Sequence, residues 1–138
     1  MSLPAFHHVQ LTVSDVELAR QFYAKVVGLT EIKRPNFPVP GAWFQFTNGQ
    51  ELHLAKLPEP IWPGMKVVNR YEAHLAFRIP SFKKAVESLR AHGYSDEFPD
   101  DHPMKMLIKT ENPNGYPQLY FLDPDRHMIE FNAAALDT

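Results

Sequence analysis

Four residues of this sequence carry side chains suited to binding a metal ion: His8, His53, His74 and Glu130. Three neutral imidazoles and one carboxylate form a sensible ligand set for a borderline divalent ion, and zinc, nickel, cobalt, manganese and ferrous iron all accept it. The chain has no cysteine, so any metal must be held by nitrogen and oxygen ligands. With positions left free for substrate oxygens, such an ion would act as a Lewis acid. Each residue alone is more often an ordinary surface residue, so the prediction depends on where the chain places all four.

The first of these residues lies in a segment that alternates polar and apolar side chains. Over residues 6–13 the valines and the leucine fall on one side and His8 on the other, which is the period-two pattern of a half-buried strand. Ser14 and Glu17 then have the spacing of a capping box for a helix, and Gly28 is expected to end that helix. His8 is therefore predicted on the strand face that points away from the helix.

A hairpin completes the first half of the chain. Further strands are predicted at 29–34, 42–47 and 50–55. Asn48-Gly49 is a strong signal for a two-residue turn between the last two of them. Alternation again places His53 on the polar face. The proline-rich segment 56–71 has no periodicity and is interpreted as a connector.

The same order of elements then recurs. A strand over 72–79 carries His74 on its polar face, and a helix capped by Ser81 follows. Later strands are predicted at 94–98, 104–109, 118–122 and 128–132. In the last of these, Glu130 is the counterpart of His53. We interpret the chain as one α+β domain over 1–138 with an internal duplication, in which modules 6–55 and 72–132 each contribute two ligands to a single metal.

Five further residues are candidates for the site. Glu51 lies two residues from His53 on the same predicted face, about 7 Å along the strand, and is expected to act as a base or as an alternative ligand. Arg78 could hold a substrate carboxylate or phosphonate through its planar guanidinium. The predicted substrate-binding residues are Gln10, Arg78, Tyr120 and Phe44.

Composition excludes several functional classes. The 138 residues are 44% hydrophobic and 22% charged with a net charge of −2, which is typical of a folded globular protein. Lysine and arginine are scattered, so nucleic acid is not an expected partner. No apolar run is long enough to span a membrane, and segment 1–6 has no room for the apolar core of a signal peptide, so a cytoplasmic location is expected.

Several motifs together resemble the vicinal oxygen chelate superfamily, which includes glyoxalases, bleomycin resistance proteins and extradiol dioxygenases. The motifs that carry this resemblance are residues 8–15, 22–29, 51–54, 73–77, 120–125 and 129–131. The resemblance covers nearly the whole chain and implies two βαβββ modules whose sheets form a cleft. It also implies metal ligands on the first and last strands of each module, at the positions of His8, His53, His74 and Glu130, and a homodimer that binds a small-molecule substrate.

Two departures from the family pattern bear on function. Glyoxalase I usually carries a glutamate where this chain has His53, and that carboxylate takes part in the proton transfer of glyoxalase I. Arg126-His127 replaces the common Gly-Asn in the turn after Asp123-Pro124-Asp125. The alternatives are a metal-free drug-binding protein of the bleomycin resistance type and an extradiol dioxygenase, whose ferrous iron is held by two histidines and one glutamate.

Overall fold

The computed structural model describes residues 2–137, and the chain divides after Pro63 into two compact units, which we call module 1 and module 2. Module 1 contains β1 (His8–Thr12), α1 (Val16–Gln21), a π-helical continuation (Phe22–Val27), β2 (Thr30–Ile32), β3 (Gly41–Gln45) and β4 (Glu51–Ala55). Module 2 contains β5 (His74–Arg78), α2 (Phe82–Ala91), β6 (Leu107–Lys109), β7 (Gln118–Leu122) and β8 (Met128–Asn132). The prediction of two tandem βαβββ modules is confirmed.

Each module has a four-stranded sheet of the same topology, with strand orders β1-β4-β3-β2 and β5-β8-β7-β6. The first and last strands of each module are parallel neighbours, and the other pairs are antiparallel. Gln10 pairs with His53 in module 1, and Ala76 pairs with Glu130 in module 2. A ligand-type residue at the start of each first strand therefore lies diagonally beside the one on the last strand.

The register of the sheet confirms the predicted alternation of side chains between its two faces. In module 1, Val9 and Phe44 both pair with Leu52, so these apolar side chains share one face. Phe44 and Leu52 are fully buried, as is Tyr23 from the helical segment. The opposite face of the sheet is thereby left for the polar residues. No helix within residues 2–137 is long and apolar enough to cross a membrane.

Two local predictions were wrong. Asp15 rather than Ser14 is the N-cap of α1, because its carboxylate accepts a hydrogen bond from the Leu18 amide at 2.9 Å. The segment 94–98 is not a strand, and an isolated bridge between Ser95 and Lys105 replaces the predicted ladder. Tyr94 is held by a different contact, since its hydroxyl donates to the Leu122 carbonyl at 2.5 Å.

Part of the predicted connector packs on module 2. Met65 and Val68 lie against Tyr120, Leu122 and Met128, which belong to β7 and β8. Arg126 fastens this segment, because its guanidinium donates to the carbonyls of residues 65, 66 and 101. Arg126 itself adopts a left-handed conformation with φ of 64°. The arginine that departs from the family pattern therefore has a structural role in this turn.

Candidate metal and substrate site

A ladder of stacked rings crosses β3, β4 and β1 in module 1. The rings of Trp43 and His53 are 3.7 Å apart and 2° from parallel, and those of His53 and His8 are 4.1 Å apart at 18°. This arrangement follows from the register, because Trp43 pairs with His53 and both residues point to the same face. The two predicted ligands of module 1 are therefore adjacent, and the ring of His53 is fixed on both sides.

Hydrogen bonds orient the nitrogens of these histidines. Nε2 of His53 lies 2.9 Å from Oε1 of Glu51, and a carboxylate can only accept, so Nε2 carries the proton and Nδ1 holds the lone pair. Nδ1 of His8 lies 2.9 Å from Nδ1 of His7, which leaves Nε2 of His8 outside this contact. His7 lies immediately before β1, and its carbonyl accepts from the Glu51 amide of β4 at 3.0 Å.

A cavity of about 570 Å³ opens on the same face of module 1. The residues that line it are His7, His8, Gln10, Arg34, Phe37, Pro38, Val39, Trp43, His53, Leu54, Ala55 and Leu57. Its size is typical of small-molecule sites. Three predicted site residues, His8, Gln10 and His53, are thus brought together around one cavity.

Sequence reasoning missed two groups that shape this cavity. Arg34 and Phe37 come from the loop after β2, which has no periodicity from which a side-chain direction can be predicted. Trp43 on β3 was not among the predicted substrate-binding residues. The two-residue turn predicted at Asn48-Gly49 was wrong: it would place Phe44 opposite His53, whereas Phe46 bonds the Gln50 carbonyl across a three-residue turn and Trp43 lies opposite His53.

The predicted pair of module 2 is in direct contact. Nδ1 of His74 is 2.7 Å from the carbonyl oxygen of Glu72, which can only accept, so the proton is on Nδ1. The remaining nitrogen, Nε2, is 3.2 Å from Oε1 of Glu130. Nε2 therefore faces the carboxylate, as an N–H donor in the imidazolium or as a lone pair in the neutral ring, and in the neutral ring a cation shared between the two groups would satisfy both.

Glu130 lies at the centre of a buried network. It is 3% exposed, and Nδ2 of Asn132 donates to its Oε2 at 2.6 Å. The Tyr120 hydroxyl also bonds to Glu130, and burial followed by the charge of that carboxylate raises the pKa of the tyrosine. Arg70 opposes this shift of the Tyr120 pKa. The carboxylate is thus held in one orientation by side chains on β7 and β8.

Two predicted substrate contacts are placed elsewhere. Phe44 is fully buried on the opposite face of its sheet and packs near Tyr23 at 6.2 Å between ring centroids, so its assignment to substrate binding was wrong. The error came from choosing the wrong member of the Trp43-Phe44 pair on an alternating strand. Arg78 is already engaged, since its Nε donates to Asn132 at 2.5 Å and its guanidinium lies 4.6 Å from the centre of the Tyr116 ring.

Among residues 2–137, no three or more histidine, aspartate or glutamate side chains are gathered in a group that could hold a metal ion. The donor chemistry within each module nevertheless fits a divalent ion. Module 1 offers two imidazoles whose second nitrogens are hydrogen-bonded, and module 2 offers an imidazole and a carboxylate that are both oriented by neighbours. Such outer hydrogen bonds are typical of metal-binding histidines and carboxylates.

Comparison with known proteins assigns the family. A model of the Glyoxalase/Bleomycin resistance protein/Dioxygenase superfamily matches residues 5–131. Glyoxylase I 4 from Arabidopsis thaliana is 31% identical over 132 residues, which cover 94% of this chain and 71% of the plant protein. The crystal structure of a glyoxalase family protein from Bacillus anthracis has a TM-score of 0.74 and 24% identity, covering 96% of this chain and 97% of the other. A glyoxalase/dioxygenase from Nostoc punctiforme has a TM-score of 0.69 and 26% identity with the same coverage. The chain belongs to the glyoxalase, bleomycin resistance protein and dioxygenase superfamily.

Proposed function

We propose that the protein is a metal-dependent enzyme in which His8, His53, His74 and Glu130 bind one divalent ion. The observation that carries the proposal is the contact between Nε2 of His74 and Oε1 of Glu130 at 3.2 Å. Because Nδ1 of His74 donates to a backbone carbonyl, Nε2 is directed at the carboxylate, either as the N–H of an imidazolium or as the lone pair of a neutral ring. In the neutral ring the two acceptors would bind a shared cation.

The residues of module 1 supply neutral donors to the same ion. Glu51 keeps the proton of His53 on Nε2, so Nδ1 is the donor atom, and His7 leaves Nε2 of His8 available. The stack on Trp43 prevents rotation of the His53 ring. These contacts hold two imidazoles ready for binding without a large loss of side-chain entropy.

The substrate is a small oxygenated molecule bound in the cavity of module 1. A bound ion would supply Lewis-acid stabilisation of negative charge that develops on substrate oxygens. The apolar walls at Phe37, Val39 and Leu57 exclude water from the substrate body. The relationship to Arabidopsis Glyoxylase I 4 supports isomerase or lyase chemistry.

Glu51 has a positioning role in this proposal. The sequence suggested a catalytic base, but the carboxylate bonds to His53 and Glu51 is not among the described residues that line the cavity. Its effect on the reaction is therefore exerted through the orientation of His53. A base would have to reach the substrate within hydrogen-bonding distance.

Metal analysis tests the proposal. Protein purified without chelators is expected to contain about one divalent ion per chain, and His8→Ala and Glu130→Ala are expected to lose it. His92→Ala is the matched control, because His92 is an exposed histidine on the C-terminal end of α2. Stoichiometric metal in His8→Ala or Glu130→Ala would exclude these residues as ligands.

A second candidate function is metal-free binding of an aromatic small molecule. It is favoured by the walls of the cavity, where Trp43 and Phe37 lie 6.0 Å apart at the ring centroids. The complete set of ligand-type residues argues for the enzyme. Tight binding of aromatic compounds by protein that contains no metal and gains none would favour the binding protein.

We also propose that the chain forms a homodimer. Leu3 and Phe6 at the start of module 1 are 91% and 60% exposed, and a dimer interface that covered them would remove their apolar surface from water. Light scattering on a sizing column would give twice the monomer mass for a dimer. A monomer mass at micromolar concentration would exclude a stable dimer.

A further inference from the structure

Arg34 is a cationic group in the cavity of module 1 that no contact described above uses. It lies on the loop after β2, and its side chain lines the cavity together with His8 and His53. Its Nε is buried and has no hydrogen-bond partner among residues 2–137. A buried donor without an acceptor is costly, so a donor left in this state at the wall of a cavity is a candidate for binding a ligand.

The surroundings of Arg34 fix its guanidinium in place. The Phe37 ring lies 5.1 Å from the guanidinium carbon, which is a cation–π distance. A Cβ atom on residue 41 would lie 2.9 Å from Nε of Arg34, so the glycine found there allows the guanidinium to approach the backbone of β3. The Phe37 ring and the absence of a side chain at Gly41 thus define the position of the Arg34 guanidinium.

The charge and polarity of the other lining residues indicate which ligand would bind to the guanidinium. None of the described residues that line the cavity is acidic, so no carboxylate of the wall competes for Arg34. Phe37, Val39 and Leu57 form apolar wall next to it. The cavity therefore combines one cationic anchor with apolar surface, and His8 and His53 contribute imidazoles to the same cavity.

We infer that Arg34 binds the oxyanion of an organic substrate, a carboxylate or a phosphonate, whose apolar body lies against Phe37, Val39 and Leu57. The planar guanidinium matches such a group through paired N–H donors. Arg34 then determines specificity at one end of the cavity, and the oxygenated part of the substrate lies at the His8 and His53 end. The inference rests on the proposed function only in naming the substrate class of that site.

The contrast with Arg78 supports the assignment. Arg78 was the arginine that the sequence suggested for an anion, but its Nε already donates to Asn132 and its guanidinium lies over Tyr116. The Nε of Arg34 has no such partner within the described part of the chain. Arg34 is therefore a better candidate than Arg78 for binding the anionic group of a substrate.

Calorimetric titration with a matched pair of probes tests the inference. The probes are 4-phenylbutyrate and its neutral analogue 4-phenylbutyramide, titrated into the full chain in the presence of a chelator so that a metal cannot bind the carboxylate. We expect the carboxylate to bind at least about tenfold more tightly than the amide, as for hydrogen bonds to a charged group. Arg34→Gln should remove this preference, and Arg34→Lys should retain part of it.

Arg90→Gln is the charge-matched control, because Arg90 is an exposed arginine of module 2 that pairs with Asp96. It should preserve the preference for the carboxylate. Equal binding of the two probes by the wild type, no detectable binding of the carboxylate at about 10 mM, or an unchanged preference in folded Arg34→Gln would each overturn the inference.

Metal content separates this inference from the proposed function. Arg34→Gln should contain as much metal as the wild type, whereas Glu130→Ala should lose metal and keep the carboxylate preference measured with chelator. A wild type without metal that still prefers the carboxylate would contradict the metalloenzyme and support the anchor. A wild type that contains metal but does not prefer the carboxylate would support the metalloenzyme and contradict the role of Arg34 in anion binding.

Discussion

The two modules share one topology, but the surroundings of their ligand-type residues differ. In module 1, His8 and His53 stack beside a cavity of about 570 Å³, and the Nε of nearby Arg34 has no partner among the described residues. In module 2, Glu130 is buried in a network with His74, Asn132 and Tyr120. The two modules therefore carry ligand-type residues at equivalent strand positions, but the surroundings of those residues differ.

Equivalent positions show how this divergence arose. Trp43 pairs with His53 on β3, and Tyr120 pairs with Glu130 on β7. The tryptophan offers a flat face for stacking, whereas the tyrosine offers a hydroxyl that bonds the carboxylate. Module 1 thus provides space and neutral donors for a substrate site, and module 2 provides a fixed negative charge.

Removal of Glu130 should have the largest effect on stability. Glu130→Ala leaves the buried Asn132 amide and Tyr120 hydroxyl without their acceptor, and we expect a loss of about 2–4 kcal/mol in the free energy of unfolding. His8→Ala removes an exposed ring and should cost less than about 1 kcal/mol. Urea denaturation with a chelator present measures both. Equal losses would contradict the contrast between the modules, and Glu130→Gln, which keeps an acceptor, should recover part of the loss.

Metal affinity should depend on the residue that orients His53. Glu51→Gln weakens the hydrogen bond to Nε2 of His53, and we expect metal affinity to fall about 10–100-fold, as for other residues behind a metal ligand. Glu72→Ala is the matched control in module 2, because only the backbone carbonyl of Glu72 bonds His74. A chelator competition assay gives both affinities. Unchanged metal affinity in Glu51→Gln would show that Glu51 does not position His53 for metal binding.

A pair of arginine variants compares the two modules directly. Arg70 donates to Asn112 at 2.7 Å and to Gln118 at 3.0 Å, so Arg70→Gln should cost about 1–3 kcal/mol. Arg34→Gln loses mainly the contact with the Phe37 ring and should cost less than about 1 kcal/mol. Urea denaturation of the two variants gives the comparison. A larger loss for Arg34→Gln would show that Arg34 has a structural role.

Alkaline pH should reduce the contribution of the Tyr94 hydroxyl to the free energy of unfolding. Burial raises the pKa of Tyr94, whose hydroxyl donates to the Leu122 carbonyl, so Tyr94→Phe should cost about 1 kcal/mol near neutral pH. Above a pH of about 10 the unfolded chain ionises Tyr94 while the folded chain keeps it neutral, so the advantage of the wild type over Tyr94→Phe should shrink. Thermal unfolding at several pH values measures this difference. Tyr71→Phe, at an 88% exposed position, should show no such trend, and a constant difference for Tyr94→Phe would contradict the account.

Regular elements were accessible from the sequence because their hydrophobic pattern is periodic. Strands β7 and β8 span 118–122 and 128–132 as predicted, and alternation placed His8, His53 and Glu130 on the polar faces of their strands. The choice of Asp15 over Ser14 as helix cap was not accessible, because both side chains can accept from the first turn.

Two of the missed cavity residues lie outside regular structure. Arg34 and Phe37 belong to a proline-rich loop, where side-chain directions depend on tertiary contacts rather than on a period. Phe44 was misplaced because a register error of one residue moves a side chain to the opposite face. The strand faces of the ligand-type residues could therefore be predicted, whereas the loop residues that line the cavity could not.

Our central proposal is that His53 and His74 are both required for binding of a metal ion, and calorimetric titration of chelator-stripped protein tests it most directly. Titration with Zn²⁺, Ni²⁺ and Mn²⁺ should show about one ion bound per chain for at least one of them. His53→Ala in module 1 and His74→Ala in module 2 should each weaken that binding about 100-fold or more. Two ions per chain, no binding by the wild type, or unchanged affinity in either folded variant would contradict the claim.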